Sequence, residues 1–226
     1  MRDDRTAVET FSGVARLFPL PNLVLFPHVD QGLHIFEPRY RQMTAEALAG
    51  DQLIALVLLK PDEDWETDYD GRPVVESTAC LGRITSSEQL PDGRYNLKLR
   101  GLTRLRLVEE IPDPDKLFRL ARGEVLADRP PPPAEAVALR RELREAVLPR
   151  FDPTGPAYHQ LTALFDSDTP LGAVCDLLGY GLPLPLGLKQ QLLSEPDASI
   201  RTRWIIDAIG GPGRKSRAFP PSFSPN

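Results

Sequence analysis

LGRITSSEQLPDGRYNLKLRGLTRLRL, residues 81–107, is the stretch from which the first half of this chain is read. Pro91-Asp92-Gly93 stands near its centre, and Asp-Gly readily supplies the positive φ angles that a tight hairpin turn requires. After the turn, Tyr95, Leu97 and Leu99 alternate with Arg94, Asn96, Lys98 and Arg100. A period of two is the pattern of a strand with one buried face. Residues 78–89 supply its partner strand, residues 101–108 turn back, and residues 117–125 read as a last strand.

Further out, residues 32–36 read as a strand that runs into Glu37-Pro38. Proline suits the first turn of a helix, where its missing N–H leaves no bond unmade. Tyr40, Met43, Ala47 and Leu48 form the helical stripe, and Gly50 stops it. Residues 52–59 make another strand. Its aliphatic run, residues 54–59, is far too short to span a bilayer and suits a buried strand. These elements predict a mostly antiparallel sheet with one early helix, closed into a small, partly open barrel.

Proline marks the change of character. The chain has 24 prolines, against a typical usage of about 5%, and Pro130, Pro131, Pro132 and Pro133 are consecutive. Such a run is a stiff extended connector. Beyond it, Val137, Leu139, Leu143, Ala146 and Val147 recur at helical spacing within residues 134–149. Residues 158–165 form a second helix, and Ser167-Asp168-Thr169-Pro170 starts a third that ends at Gly179. Residues 186–193 and 194–209 complete a small bundle. The predicted class is α+β: a flexible segment 1–14, a β domain 15–127, a connector 128–134, a helical subdomain 135–209 and a disordered tail 210–226.

Composition excludes several function classes. A net charge of -5 gives no support for nucleic acid as the default partner, because phosphate binding needs clustered cations. Cys80 and Cys175 lie far apart and outside any metal-ligand spacing, which argues against a disulfide framework and a zinc site. The polar start MRDDRTAVETFSG lacks the layout of a secretory signal. The expected setting is cytoplasmic, with no membrane partner.

Several spaced motifs resemble the N-terminal substrate-recognition domain of Lon-type ATP-dependent proteases. They are Leu20-Pro21, Val24-Leu25-Phe26-Pro27, His34-Ile35-Phe36-Glu37-Pro38-Arg39-Tyr40, Gly82, the hairpin from Pro91 to Tyr95, and Gly101 to Arg106. In the second half, LGLKQQLLSEPD is followed by Arg201 and Arg203. The resemblance covers residues 15–209 and implies a PUA-like pseudo-barrel followed by helices. The chain resembles the short, free-standing bacterial versions more than a full protease. A full Lon protease needs a phosphate-cradling G-x-x-x-x-G-K-[ST] loop. Gly211-Pro212-Gly213-Arg214-Lys215-Ser216 has the wrong order for one, and no residues remain for a serine–lysine protease domain. The expectation is a non-catalytic module without cofactor or metal. Its partners would be unfolded or degron-bearing polypeptides and an ATP-dependent protease acting in trans.

Candidate sites are weighed residue by residue. Glu66-x-Asp68-x-Asp70-Gly71 resembles the start of a calcium loop, but Glu76 falls one position short of the closing ligand and no paired helices flank it. A solvated acidic loop is the better reading; Trp65 and Tyr69 within it are expected to fold back onto the barrel, the alternative being an exposed contact site. His28, His34 and His159 are scattered without a nucleophile to serve. Leu33, Phe36 and Tyr40 read first as core residues; the binding alternative is a peptide groove beside them, since antiparallel edges and apolar grooves are the usual ways to hold extended segments. Arg94, Lys98, Arg100, Arg104 and Arg106 offer a basic hairpin face, the alternative being an RNA-binding module suggested by the PUA-like shape. Charge on an exposed strand also serves solubility and blunts edge pairing.

Overall fold

The computed structural model describes residues 4–60 and 72–210. Within them the chain forms six strands and seven helices, and it divides into two interleaved units. The first comprises Met1–Ala127 with Asp176–Pro196, and the second Asp128–Cys175 with Asp197–Asn226. The calcium-like loop with Trp65 and Tyr69, and the glycine-rich string after residue 210, lie outside the described residues.

The first unit is built on β1 (Val14–Leu20), β2 (Asp30–Ile35), β3 (Leu53–Leu58), β4 (Thr78–Gln89), β5 (Tyr95–Ile111) and β6 (Arg119–Leu126). Their order is β2-β5-β4-β3-β1-β6, and a further β5–β6 pairing closes five of them into a ring. Only β1 and β3 run parallel, so the sheet is mixed. Alternate residues line the interior: Ala15 and Leu17, Leu53, Ala55 and Val57, Ala79 and Leu81, Leu105, and Ala121. Alanine recurs on four of the five strands because a ring this narrow has little room for branched side chains facing one another. β3 is buried at every position, which explains its unbroken aliphatic run.

β5 explains the asymmetry of the ring. Its 17 residues serve two partners in succession along one edge, β2 at Asp30↔Arg100 to Ile35↔Tyr95 and β6 from Arg104↔Leu126 onward. Residues 101–108, expected to turn back, continue the same strand. The feature there is a bulge: Gly82 faces Gly101 and Leu81 faces Thr103, leaving Leu102 without a partner on β4. An extra residue reverses the facing of everything beyond it.

Two local readings change at the N-terminal end. Residues 4–9, expected to be flexible, form helix α1 (Asp4–Glu9). Ala7 joins the ring's apolar interior, and Arg83 donates to the Asp4 carboxylate through Nε at 3.0 Å. β1 carries Arg16 and Pro19, which interrupt its apolar alternation, and its parallel pairing with β3 is non-local. Helix α2 (Pro38–Ala49) starts at the expected proline. Its closing turn reaches the left-handed region at Gln52, φ 65°, rather than at Gly50. Gln52 there donates its N–H to the Ala47 carbonyl at 2.8 Å.

In the second unit, α3 (Pro133–Val147) packs on α7 (Ala198–Gly210). Leu139, Leu143 and Val147 are buried at four-residue intervals, the spacing of one helix face. The α7 start is set by Asp197, whose carboxylate accepts the Ser199 N–H at 2.9 Å, an N-cap that places the helix four residues later than periodicity suggested. Arg201 is fully buried and meets Asp128 at 2.5 Å. Arg140 donates to the carbonyls of Phe165 at 3.2 Å and Ser167 at 3.0 Å. That ties off α4 (Pro156–Asp166), where carbonyls lack helical partners. Helix α5 (Leu171–Gly181) spans the boundary between the units, and α6 (Leu186–Ser194) belongs to the first. No helix among the described residues is long and apolar enough to cross a membrane.

Candidate functional site

Strand β2, helix α2 and the turn between them carry the residues expected to form a peptide groove. Leu33 is half-buried on β2, Phe36 is 58% exposed, and Tyr40 is 5% exposed. β2 pairs with β5 alone, so its other edge presents backbone groups with no strand partner among the described residues. Phe36 stands at the end of that edge, stacked on His34 with ring centroids 6.2 Å apart. His34 in turn meets Asn96 at 2.8 Å through Nδ1. A large exposed aromatic ring beside an unpaired strand edge is unusual for a protein surface.

Tyr40 faces elsewhere. One helical turn past Phe36, it forms a wall of a cavity of about 250 Å³. Pro19 of β1, together with Leu117 and Phe118 at the entry to β6, supplies the rest of the apolar lining. Phe18 supports Tyr40 from behind, with ring centroids 4.5 Å apart and planes tilted by 59°. The loop before β6 is tied to α2: the Leu117 N–H donates to Gln42 Oε1 at 2.8 Å, and Lys116 pairs with Glu46 at 2.8 Å.

Three arginines complete this cavity. Arg39 pairs with Glu37 at 2.8 Å and lies over the Tyr40 ring, 4.8 Å from its centroid. Arg119 donates through Nε to Glu110 at 2.9 Å and through Nη1 to the Pro73 carbonyl at 2.8 Å. Arg72 is exposed and has no carboxylate partner among the described residues. Of this group, Tyr40 alone was singled out as a site residue from the sequence. Arg39 was visible only as part of a motif. Arg72 and residues 117–119 are too far from it in sequence for any local pattern to connect them.

The basic hairpin does not form the continuous face its spacing suggests. Arg94, Lys98, Arg100 and Arg106 are exposed or half-exposed, whereas Arg104 is 1% exposed. The bulge at Leu102 is the cause. It puts Arg104 in register with Cys80, on the face of Gly101 and Leu99 instead of that of Lys98 and Arg100. There Arg104 pairs with Asp176, which is 0% exposed, and donates through Nε to the Leu193 carbonyl at 3.0 Å. Three of the remaining cations are met by carboxylates: Arg94 by Asp92, Arg100 by Asp30, and Arg106 by Glu124. The Arg100 hydrogen bonds hold the Asp30 carboxyl below the usual carboxylate range. His28, φ 68°, is occupied structurally: its N–H donates to the Gly101 carbonyl at 2.8 Å.

Comparison with known proteins gives one consistent result. The family model of the ATP-dependent protease La (LON) substrate-binding domain matches residues 14–209. Lon protease 2 of Thermus thermophilus is 27% identical over 191 residues, covering 83% of this chain and 23% of that protein. Lon protease of Anaeromyxobacter dehalogenans is 24% identical over 204 residues, covering 89% and 23%. The chain therefore spans about a quarter of the length of these curated relatives. Among solved structures, the N-terminal domain of Mycobacterium avium complex Lon protease matches with a TM-score of 0.66 at 17% identity. That match covers 87% of this chain and 98% of the other. A Lon N-terminal domain protein from Xanthomonas campestris matches at 0.59 with 22% identity, covering 85% and 96%. At these identities the two structures show a shared fold.

Proposed function

Since this chain belongs to the ATP-dependent protease La (LON) substrate-binding domain family, we propose that it is a recognition module for unfolded or degron-bearing polypeptide. In this reading it performs no bond cleavage and hands its client to an ATP-dependent protease acting in trans. The observation that carries the reading is the edge of β2 that has no strand partner among the described residues and ends at the exposed ring of Phe36. An extended client adds to the edge through main-chain hydrogen bonds, which are indifferent to sequence, while Phe36 and Leu33 favour apolar side chains. Folded proteins bury both kinds of group, so the same site discriminates against them.

The test is binding of a reduced, alkylated and permanently unfolded protein against its native form. The unfolded form is expected to bind and the native form not to, with weak dependence on salt. Phe36→Ser should weaken the complex while leaving the thermal melt within the range of ordinary surface substitutions, about 0.5 kcal/mol. Equal binding of the two forms, or full binding by Phe36→Ser, would remove the site from consideration.

A further inference from the structure

We infer that the cavity between α2 and the entry to β6 captures the C-terminal residue of a polypeptide that ends in an apolar or aromatic side chain. The inference rests on the polypeptide-recognition reading and concerns a different part of the same unit. Its walls divide chemically. Tyr40, Leu117 and Phe118 supply apolar surface, and Arg39, Arg72 and Arg119 supply guanidinium groups. Arg39 and Arg119 are held in place by Glu37 and Glu110, so they are fixed donors with part of their charge answered. Arg72 is the exposed cation of the three, without a carboxylate partner among the described residues. A guanidinium fork matches a carboxylate in geometry as well as in charge.

Size decides between sources of that carboxylate. The cavity of about 250 Å³ lies below the roughly 300–1,000 Å³ of typical small-molecule sites. It suits a single residue better than a nucleotide or a long segment. A chain-terminal residue carries its carboxylate and its side chain on the same Cα, so it presents both groups within that space. An internal acidic residue would need a second residue to supply the apolar group, and successive side chains of an extended segment point in opposite directions.

The experiment uses fluorescence anisotropy with a labelled Gly/Ser peptide ending in Phe as the free acid, its C-terminal amide, and an amidated peptide with an internal Glu beside Phe. The free acid should bind roughly tenfold more tightly than the amide, the loss of one charge-assisted contact. Arg72→Glu should abolish that preference and Arg72→Lys should retain part of it, both with unchanged thermal melts. Equal binding of acid and amide, or a preference that survives Arg72→Glu, overturns the assignment, as does failure of all three peptides to bind. Binding of the internal-Glu amide as tight as the free acid also overturns it, since an acidic side chain would then be the occupant. If an unfolded client still binds in any of these cases, only the cavity assignment has failed. If the acid peptide shows the Arg72-dependent preference while unfolded protein does not bind, the broader recognition reading has failed instead.

Discussion

Arg104 of β5 meets Asp176 of α5 with both side chains withdrawn from solvent, Nη1 lying 3.2 Å from Oδ2 and Nη2 bonded to Oδ1. The pair binds the stretch from Asp176 to Pro196 to the outer face of the β ring. Gln190 adds to it by donating to the Thr78 carbonyl at 2.9 Å. Residues far beyond the proline run therefore complete the β unit.

Removing one partner should leave the other charge buried without its counter-charge. Asp176→Ala is expected to cost about 3–5 kcal/mol, the range for breaking a buried ion pair. Replacing both, as Arg104→Met with Asp176→Leu, should recover much of that loss because two desolvation penalties disappear together. Urea denaturation followed by far-ultraviolet circular dichroism measures both. A loss below about 1 kcal/mol for the single variant would mean that water reaches the pair.

Gly101 is required by close approach. Its carbonyl accepts from His28 and its N–H donates to the Val29 carbonyl, each at 2.8 Å. A Cβ there would overlap the Phe26 carbonyl oxygen and stand 2.8 Å from its carbon and 3.0 Å from Cys80 Sγ. Gly101→Ala should destabilise by about 3 kcal/mol, the upper end for overpacking. A thermal melt within a degree or two of the parent would contradict the packing described.

Burial pushes the Cys80 thiol up. An unfolded cysteine ionises near about 8.5, so above that pH the unfolded state gives up a proton that the native state keeps. Stability should therefore fall as pH rises beyond about 8.5, and part of that slope should vanish in Cys80→Ala. Cys175 is also buried. A thiol reagent should accordingly label neither cysteine in the native protein and both after denaturation. Rapid native labelling of Cys80 would refute its enclosure.

The Asp30 carboxyl is lowered chiefly by its hydrogen bonds from Arg100. Its folded pKa lies below the unfolded one, so the stabilisation is present above about pH 3.9 and fades as pH falls through the folded value. Because the pair is more than a third exposed, its contribution is at most about 1 kcal/mol. Urea midpoints measured from pH 6 down to pH 3 should fall less steeply for Asp30→Asn than for the parent. Parallel acid limbs would deny the pair any role.

Most of the fold was legible where the pattern is local. The strand Thr78–Gln89 matches the sequence reading, the Asp-Gly turn joins it to β5, and Pro38 opens α2 as expected. β1 was not legible as a strand, because Arg16 and Pro19 break its alternation and its partner β3 is remote. Of the candidate site, Phe36 and Tyr40 were visible as a motif. Their division between an open strand edge and an arginine-lined cavity was not.

The sequence by itself determined the element types, the family and the change from strands to helices after the prolines, because periodicity, turn chemistry and capping act over a few residues. Tertiary structure alone decided which cations face solvent. One unpaired residue at Leu102 reverses β5 and turns Arg104 to the outer face of the ring, where it meets Asp176, 72 positions away. It also brought Arg39, Arg72 and Arg119 together around Tyr40. Such meetings depend on strand register and closure of the ring, quantities that no short window of sequence contains.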